Sequence, residues 1–292
     1  MHIFLTGGTG SIGSAVLTQA VAAGHTVTAL VRSCEADDRV TAAGAQAVQG
    51  DIAQPENWMA QATACEVFIH LASTFDDDMV VTEPRLINSL LTHAAARATP
   101  LRVLYTGGCW LFGQTGSAVA TETSPLNPIN AFAWAATAID LLRDHPALRC
   151  SVIHPAMVYD ESGGVFTRML TALRAKRPAP IWGSEHTRWP LVHRDDAAAA
   201  YVRLAQTPSA TGTFNVVAET GVSVGEIARV LSGQAGIKTR PAVLPHKWTL
   251  LRHGAWAEGP MLDQQMRSTR MAELGWDPSH KDFSTLDYKL ET

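Results

Sequence analysis

The sequence predicts an α/β fold built on a doubly wound parallel sheet, with a smaller C-terminal lobe. Three observations predict it: a glycine-rich stretch directly behind a short apolar run, an alternation of strand-like and helix-like segments through the first two thirds of the chain, and the loss of that alternation after Pro155. Alternating strands and helices are typical of a parallel sheet that helices cover on both faces.

The first strand, turn and helix carry the most information. Residues 2–5 are expected to form a buried strand and residues 14–23 a helix, so Gly7, Gly10 and Gly13 fall on the turn between them. Glycines permit a tight turn and close backbone approach, and the helix N-terminus presents free N–H groups at the positive end of its dipole. This context predicts a site for the pyrophosphate of a dinucleotide.

The remaining elements follow in order along the chain. Predicted strands cover 26–31, 47–48, 67–71, 102–106, 150–154 and 213–217. Predicted helices cover 86–97, 139–143 and the alanine-rich segment that Asp195 and Asp196 cap.

The domain boundaries follow from where this alternation stops and resumes. Residues 157–189 are rich in glycine and proline and leave the sheet, residues 190–217 return to regular elements, and residues after 218 suggest short helices and loops. The sequence therefore predicts a Rossmann-type dinucleotide-binding domain of residues 1–156 and 190–217. The predicted substrate-binding lobe consists of residues 157–189 and 218–292.

Composition limits the classes of partner. The 292 residues carry a formal charge of −4 without long runs of either sign, so neither nucleic acid nor a membrane is expected as a partner. The four cysteines have no Cys-x-x-Cys spacing and the eleven histidines no His-x-x-x-His spacing, so no metal is expected. No signal peptide and no long apolar span are recognisable, which predicts a cytoplasmic protein with a small-molecule substrate. A homodimer is left open.

An ordered series of motifs covers nearly the whole chain. By these motifs the chain resembles the extended or atypical short-chain dehydrogenase/reductase superfamily, in its NAD-dependent epimerase/dehydratase branch. The motifs are Thr6-Gly-Gly-Thr-Gly-Ser-Ile-Gly13, Gly50-Asp51, His70-Leu71-Ala72, Tyr105-Thr-Gly-Gly-Cys-Trp-Leu-Phe-Gly113, His154-Pro-Ala-Met-Val-Tyr159, Pro190-Leu-Val-His-Arg-Asp-Asp196, Thr213-Phe-Asn215 and Glu273-Leu-Gly-Trp-Asp-Pro278.

The resemblance implies a set of cofactor contacts. The pyrophosphate loop would consist of Thr6, Gly7, Gly10, Ser11, Ile12 and Gly13. The adenine would be bordered by Asp51 and Ile52, and the path to the nicotinamide by Leu71, Ala72, Ser73, Thr106 and Gly107. The nicotinamide would lie beside Pro155, Met157 and Val158.

The end of the second strand decides the cofactor. NAD-binding sites place an acid there to accept hydrogen bonds from the ribose, but this strand ends in Leu30-Val31-Arg32-Ser33. Arg32, helped by Ser33, can pair with a 2′-phosphate, so the expected cofactor is NADP(H). Two alternatives stay open: Arg32 only solvates a strand end, or Glu35 serves NAD.

The usual catalytic residues of the resembled family are missing. The resemblance implies a Ser or Thr, a Tyr and a Lys, but the matching positions hold Gly108 (or Cys109 after a shift of one), Phe132 and Ala136. No lysine occurs before residue 176. We therefore expect an NADP(H)-dependent oxidoreductase that acts on a fairly apolar small molecule without the Tyr–Lys proton relay.

Replacement residues are proposed for the proton and for the substrate. The candidate proton donors are Tyr159, His186 and Asp76, and the candidate substrate contacts are Gly108, Cys109, Trp110, Phe132 and Trp189. The apolar segment 248–256 suits a pocket wall, a lobe core or a dimer face equally well. Two other functions remain open: a redox-neutral isomerase, cyclase or epimerase, and a non-enzymatic NADP(H)-binding regulator or sensor.

Overall fold

The computed structural model describes residues 1–73, 78–288 and 290, and it divides the chain into two compact units. The first unit comprises Met1–Gly107, Ala133–His154 and Ala198–Phe214, and the second Gly108–Phe132, Pro155–Ala197 and Asn215–Thr292.

This division differs from the predicted domains at four places. The longer segments 108–132 and 190–197 and the short segments 155–156 and 215–217 group with the second unit, although the sequence suggested the first. Backbone and side-chain hydrogen bonds give the reason: the amide of Gln264 donates to the carbonyl oxygen of Cys109 at 2.7 Å, and Asp196 accepts from the N–H groups of Ser279 and His280 at 2.9 Å each.

A seven-stranded sheet confirms the predicted α/β class. Its strands are β1 (His2–Thr6), β2 (Thr26–Val31), β3 (Gln46–Gln49), β4 (Val67–His70), β5 (Leu101–Thr106), β6 (Leu148–Pro155) and β11 (Gly212–Val216). Their order is β3-β2-β1-β4-β5-β6-β11, and the pairings from β3 to β6 are all parallel. The chain leaves the sheet after β3 and returns on the other side of β1, so β1 and β4 flank a topological switch point. In such sheets ligands bind at the carboxyl ends of the strands beside this point.

The helices that follow these strands are α1 (Ser11–Ala22), α2 (Cys34–Ala42), α3 (Met59–Ala64), α4 (Met79–Ala95), α5 (Ala133–Arg143) and α7 (Arg194–Ala205). The core on the first strand consists of aromatic rings. Phe4 stacks on Trp58 with ring centroids 5.6 Å apart and on Phe68 at 6.1 Å, and all three are fully buried. Burying these rings fixes β1, and therefore the turn that follows it.

One helix begins earlier than the sequence suggested. The periodicity of the sequence predicts this helix over residues 86–97. The structure continues α4 back to Met79. Met79 and Glu83 are buried, so anchoring side chains hold the first turns in place while Pro84 faces the surface.

The second unit contains more strands than the sequence suggested. Its strands are β7 (Met157–Asp160), β8 (Gly163–Gly164), β9 (Pro180–Trp182), β10 (Arg188–His193), β12 (Glu219–Ser223) and β13 (Ala242–Leu244), and its helices α6 (Thr167–Arg174), α8 (Val224–Gln234), α9 (His246–His253) and α10 (Arg270–Glu273). One sheet has the order β12-β10-β7-β8, and β13 pairs with β9. The expectation of only helices and loops after residue 218 is therefore wrong. Among the described residues, no helix is both long and apolar enough to cross a membrane.

Candidate functional site

The glycine loop between β1 and α1 requires glycine at two positions. Gly7 has φ +75°, and a Cβ there would lie 2.8 Å from the backbone N of Ala72. A Cβ at Gly13 would lie 2.0 Å from the carbonyl oxygen of Gly7. Both distances are far inside van der Waals contact, so the loop has this shape only without side chains. Gly10 is less crowded, with its virtual Cβ 3.2 Å from the same oxygen.

The N-terminus of α1 is open to an anion. Gly10 is the N-cap, and no side chain caps the first turn, which contains Ser11, Ile12 and Gly13. Uncapped first-turn N–H groups together with the helix dipole suit a phosphate. The shape of the loop and this helix end thus fit the pyrophosphate of a dinucleotide.

Arg32 and Ser33 follow β2 at the same edge of the sheet. Arg32 is exposed, and among the described residues its guanidinium has no hydrogen bond or ion pair. The hydroxyl oxygen of Ser33 accepts from the N–H of Ala36 at 3.2 Å and caps α2, which leaves its O–H able to donate. Arg39 is already engaged, since it donates to the carbonyl oxygen of Thr9 at 3.1 Å. Arg32 is therefore the cation available beside the loop.

The turn after β3 holds Asp51 and Ile52 in place. The carboxylate of Asp51 accepts from the N–H of Ala53 at 2.9 Å, and its carbonyl oxygen accepts from the indole N–H of Trp58 at 2.8 Å. Ile52 is 8% exposed. The same core tryptophan that packs on β1 thus fixes this turn, where the resemblance places the adenine.

A buried polar network that the sequence reasoning missed supports the end of β4. Glu83 of α4 accepts from the hydroxyl of Tyr105 at 2.7 Å and lies 3.3 Å from Nε2 of His70. On the other side, Nδ1 of His70 lies 2.7 Å from the hydroxyl of Thr6. That hydroxyl oxygen also accepts from the N–H of Leu71 at 3.3 Å.

One assignment of hydrogens satisfies this whole network. Nε2–H of His70 donates to Glu83, and Nδ1 then accepts the hydroxyl proton of Thr6. Burial, followed by the charge of Glu83, raises the pKa of Tyr105 well above its ordinary value, so the phenol stays a donor. Glu83 and His70 are positioning residues here. The sequence indicated this network only in part. Glu83 is a single acid on an otherwise amphipathic helix, and nothing marks it as buried.

The remaining predicted cofactor contacts of the first unit lie at the ends of β4 and β5. Leu71 and Ala72 are half-buried and Ser73 is exposed. The hydroxyl of Thr106 pairs with that of Tyr201 at 2.8 Å, and the N–H of Gly107 donates to the carbonyl oxygen of Ile153 at 2.8 Å. Parallel strands place these residues at the same edge as the glycine loop.

An apolar cluster in the second unit brings together three predicted residues. The ring of Trp110 packs on Phe132 with centroids 5.4 Å apart, and its indole N–H points at the sulfur of Met157 at 3.1 Å. Gly259 makes room for this indole, because a Cβ there would lie 2.5 Å from the ring. Trp110 keeps an intermediate exposure, so the cluster presents an apolar surface.

The predicted site residues next to this cluster in the sequence have either no side chain or a buried or half-buried one. Gly108 has φ +148°, and Cys109 is buried, which raises the pKa of its thiol to about 12. Cys109 is therefore a neutral packing residue at ordinary pH. Pro155 is buried in the second unit, and Val158 is half-buried on β7.

Two predicted site residues belong to the core of the second unit. Trp189 is 2% exposed and donates its indole N–H to the carbonyl oxygen of Pro260 at 2.9 Å. Tyr159 is fully buried between Phe166 and His193, and among the described residues its hydroxyl has no partner. Burial raises the pKa of Tyr159. The structure thus places neither side chain where a substrate reaches it, which corrects the sequence-based interpretation.

The other two candidate proton donors are His186 and Asp76. His186 is exposed, and its N–H donates to the hydroxyl oxygen of Ser184 at 3.1 Å. Asp76 lies outside the described residues. At the positions of the missing catalytic residues the structure has Phe132, which is buried, and Ala136 on α5. Neither side chain can carry a proton.

A histidine and aspartate cluster was not predicted. His193, Asp196 and His280 offer ligand atoms within 4.8 Å of one another, a spacing that could hold a metal. The two imidazole rings stack at 3.8 Å, however, and Asp196 already accepts from two backbone N–H groups and from Nδ1 of His280 at 2.9 Å. The geometry is that of an anchor for residues 279–280. The expectation of no metal stays a prediction.

These features define a dinucleotide-binding protein of the Rossmann type. The model of the NAD dependent epimerase/dehydratase family matches residues 3–217, so the chain belongs to this family. It is 27% identical to the UDP-glucose 4-epimerase of Mycolicibacterium smegmatis, over 95% of this chain and 94% of that protein.

Solved structures show the same fold. The dTDP-glucose 4,6-dehydratase from Streptomyces venezuelae, solved with NAD, matches with a TM-score of 0.83 and 18% identity, over 99% of this chain and 96% of that one. The human epimerase family protein SDR39U1, solved with NADPH, matches with a TM-score of 0.81 and 20% identity, over 99% of both chains.

Proposed function

We propose that the chain is an NADP(H)-dependent oxidoreductase that acts on a fairly apolar small molecule. The observation that carries the proposal is the exposed guanidinium of Arg32 at the end of β2, where an NAD site would have an acid. Within the described part of the chain this guanidinium has no hydrogen-bond or ion-pair partner. Arg32 and the Ser33 hydroxyl would bind the 2′-phosphate, and the uncapped N-terminus of α1 the pyrophosphate. The NADPH in the structure of the human relative supports the proposal of NADP(H) over NAD.

The proposed hydride chemistry is argued from the side chains at the predicted substrate and catalytic positions. The bound cofactor supplies or accepts a hydride. Trp110, Phe132 and Met157 would provide an apolar wall that excludes water from the substrate, as in ligand sites with few polar anchors. No side chain at the family's Tyr and Lys positions transfers a proton, so we propose that water or the substrate supplies it. His186 and Asp76 stay the side-chain candidates.

Two alternatives have their own support. A redox-neutral isomerase, cyclase or epimerase is favoured by the epimerase among the relatives. A non-enzymatic NADP(H)-binding sensor is favoured by the loss of the catalytic side chains. We further propose a cytoplasmic protein whose partner is a small molecule rather than nucleic acid or a membrane. The homodimer stays a prediction, which sedimentation would test.

Turnover assays separate these functions. The purified protein is incubated with NADPH and a panel of apolar ketones, conjugated enones and cyclic imines, and both cofactor and product are quantified. We expect one NADPH oxidised for each substrate reduced. Conversion without net oxidation of NADPH would instead support the redox-neutral enzyme. Tight NADPH binding without any turnover would support the sensor.

The first variant to test the cofactor is Arg32→Ala. Removing the charge-assisted hydrogen bonds to a 2′-phosphate should weaken NADPH binding by about tenfold to a hundredfold. NADH lacks this phosphate and should bind as before. The measurement is calorimetric titration of both cofactors into both proteins.

The matched control is Arg149→Ala, which removes another exposed arginine of the first unit. It should leave both affinities unchanged. An equal loss for NADPH and NADH in Arg32→Ala would mean that Arg32 does not contact the 2′-phosphate.

A further inference from the structure

Arg168 on α6 is a partly buried cation. Its guanidinium carbon lies 3.5 Å from the ring centroid of Trp182 on β9. Its Nε is buried and has no hydrogen-bond partner, and among the described residues no carboxylate forms an ion pair with it. Burial lowers the pKa of Arg168 to about 10. The guanidinium therefore still carries its charge at neutral pH.

Aromatic rings and further positive charge surround this cation. The imidazole of His253 stacks on Trp182 with centroids 4.4 Å apart, and the indole of Trp256 meets Trp182 edge-on at 5.8 Å. Burial, followed by the charges of Arg252 and Arg168, lowers the pKa of His253. All these residues belong to the second unit.

A partly buried charge without a counter-ion is costly. Stacking on an indole recovers part of the lost hydration, but an unused N–H donor in an apolar site keeps a penalty. A planar guanidinium fork matches an oxyanion through two parallel hydrogen bonds. Arg168 keeps an intermediate exposure, so a ligand can reach it.

We propose that Arg168 binds the carboxylate of a small acidic ligand whose flat, apolar body contacts the partly exposed Trp256. The carboxylate would supply the charge that the protein lacks at this point, and the aromatic rings would select an apolar body over a sugar. The binding site stands without the proposed function. Its further role, to anchor the reacting substrate, rests on the proposed function and would define that substrate as an apolar acid.

The test uses benzoate as probe, with benzamide as its uncharged counterpart and inorganic phosphate as the alternative oxyanion. Calorimetric titration into the unmodified protein should show binding of benzoate and none of benzamide. In Arg168→Met the affinity for benzoate should fall about tenfold or more, because charge-assisted hydrogen bonds are lost. Phosphate binding that depends on Arg168, without benzoate binding, would overturn the assignment of a carboxylate.

Thermal melting separates a binding role from a structural one. Replacing an unpaired charge by an apolar chain of similar length should raise the Tm of the ligand-free protein by about 2 °C or more. The control Arg177→Met removes an exposed arginine of the same unit and should change neither Tm nor benzoate affinity. A lower Tm in Arg168→Met with unchanged benzoate affinity would make the residue a packing element and overturn the proposal.

Two further measurements separate loss of benzoate binding from loss of folding and from loss of cofactor binding. Arg168→Lys retains the charge but lacks the planar fork, so it should fold like the parent and bind benzoate more weakly. Parent-like benzoate affinity in this variant and in Arg168→Met would contradict the proposal. NADPH titration of Arg168→Met should match the parent, which separates failure of this site from failure of the proposed function.

Discussion

Gly13→Ala should abolish most of the cofactor affinity. The new Cβ would lie 2.0 Å from the carbonyl oxygen of Gly7. The backbone fixes the position of Cβ, and the oxygen is itself a backbone atom, so neither can rotate away. Either the turn opens or α1 shifts, and both move the N–H groups that face the pyrophosphate. Overpacking of this kind costs about 1–3 kcal/mol or more, so we expect NADPH to bind about a hundredfold more weakly. Calorimetric titration measures the change.

Gly233→Ala is the matched control for this substitution. Gly233 also lies within a helix, α8, but a Cβ there meets nothing within 4 Å. Alanine is the better helix former, so this variant should gain up to about 1 kcal/mol of stability. Its NADPH affinity should equal that of the parent. If Gly13→Ala bound NADPH as well as Gly233→Ala does, the loop would not be the pyrophosphate site.

Glu83→Ala should destabilise the first unit more than other single acid-to-alanine changes in it. The substitution leaves the hydroxyl of Tyr105 and Nε2 of His70 buried without an acceptor, in a site where Glu83 is 1% exposed. Breaking a buried charged network costs about 3–5 kcal/mol. We expect a loss of this size in the free energy of unfolding, measured with urea. NADPH binding should also weaken, because His70 no longer orients the Thr6 hydroxyl under Leu71.

Two variants calibrate that loss. Glu56→Ala removes a carboxylate that pairs with Arg85 at the surface, both about half exposed, and should cost less than about 1 kcal/mol. Glu83→Gln keeps the shape but can accept fully from only one of the two donors, so its loss should lie between those of the alanine variants. Equal losses for Glu83→Ala and Glu56→Ala would contradict the buried network.

Local features of this chain could be predicted from the sequence, and contacts between distant residues could not. The glycine loop and the end of β2 each consist of a few adjacent residues, so the loop and Arg32 could be located from the sequence pattern alone. Their roles toward a cofactor stay predictions. The network of Glu83 joins four elements, namely α4, β1, β4 and β5, and Thr6 and His70 are 64 positions apart. The periodicity of apolar residues does not predict a contact between polar side chains so far apart in the sequence.

The wrong interpretations have the same origin. Tyr159 ends a motif beside the expected nicotinamide path, and Trp189 was a candidate substrate contact. Both side chains belong to strands of the second unit and point into its core. Arg168 went unnoticed because nothing in its segment distinguishes an unpaired arginine from a paired one. Only the positions of Trp182 and His253, far along the chain, show its environment.

The most direct test of the central claim is calorimetric titration of NADPH and NADH into the unmodified protein at the same ionic strength. The free Arg32 and the absence of an acid at the end of β2 predict that NADPH binds at least about tenfold more tightly than NADH. Equal affinities, or tighter binding of NADH, would contradict the assignment of this protein as an NADP(H)-dependent oxidoreductase.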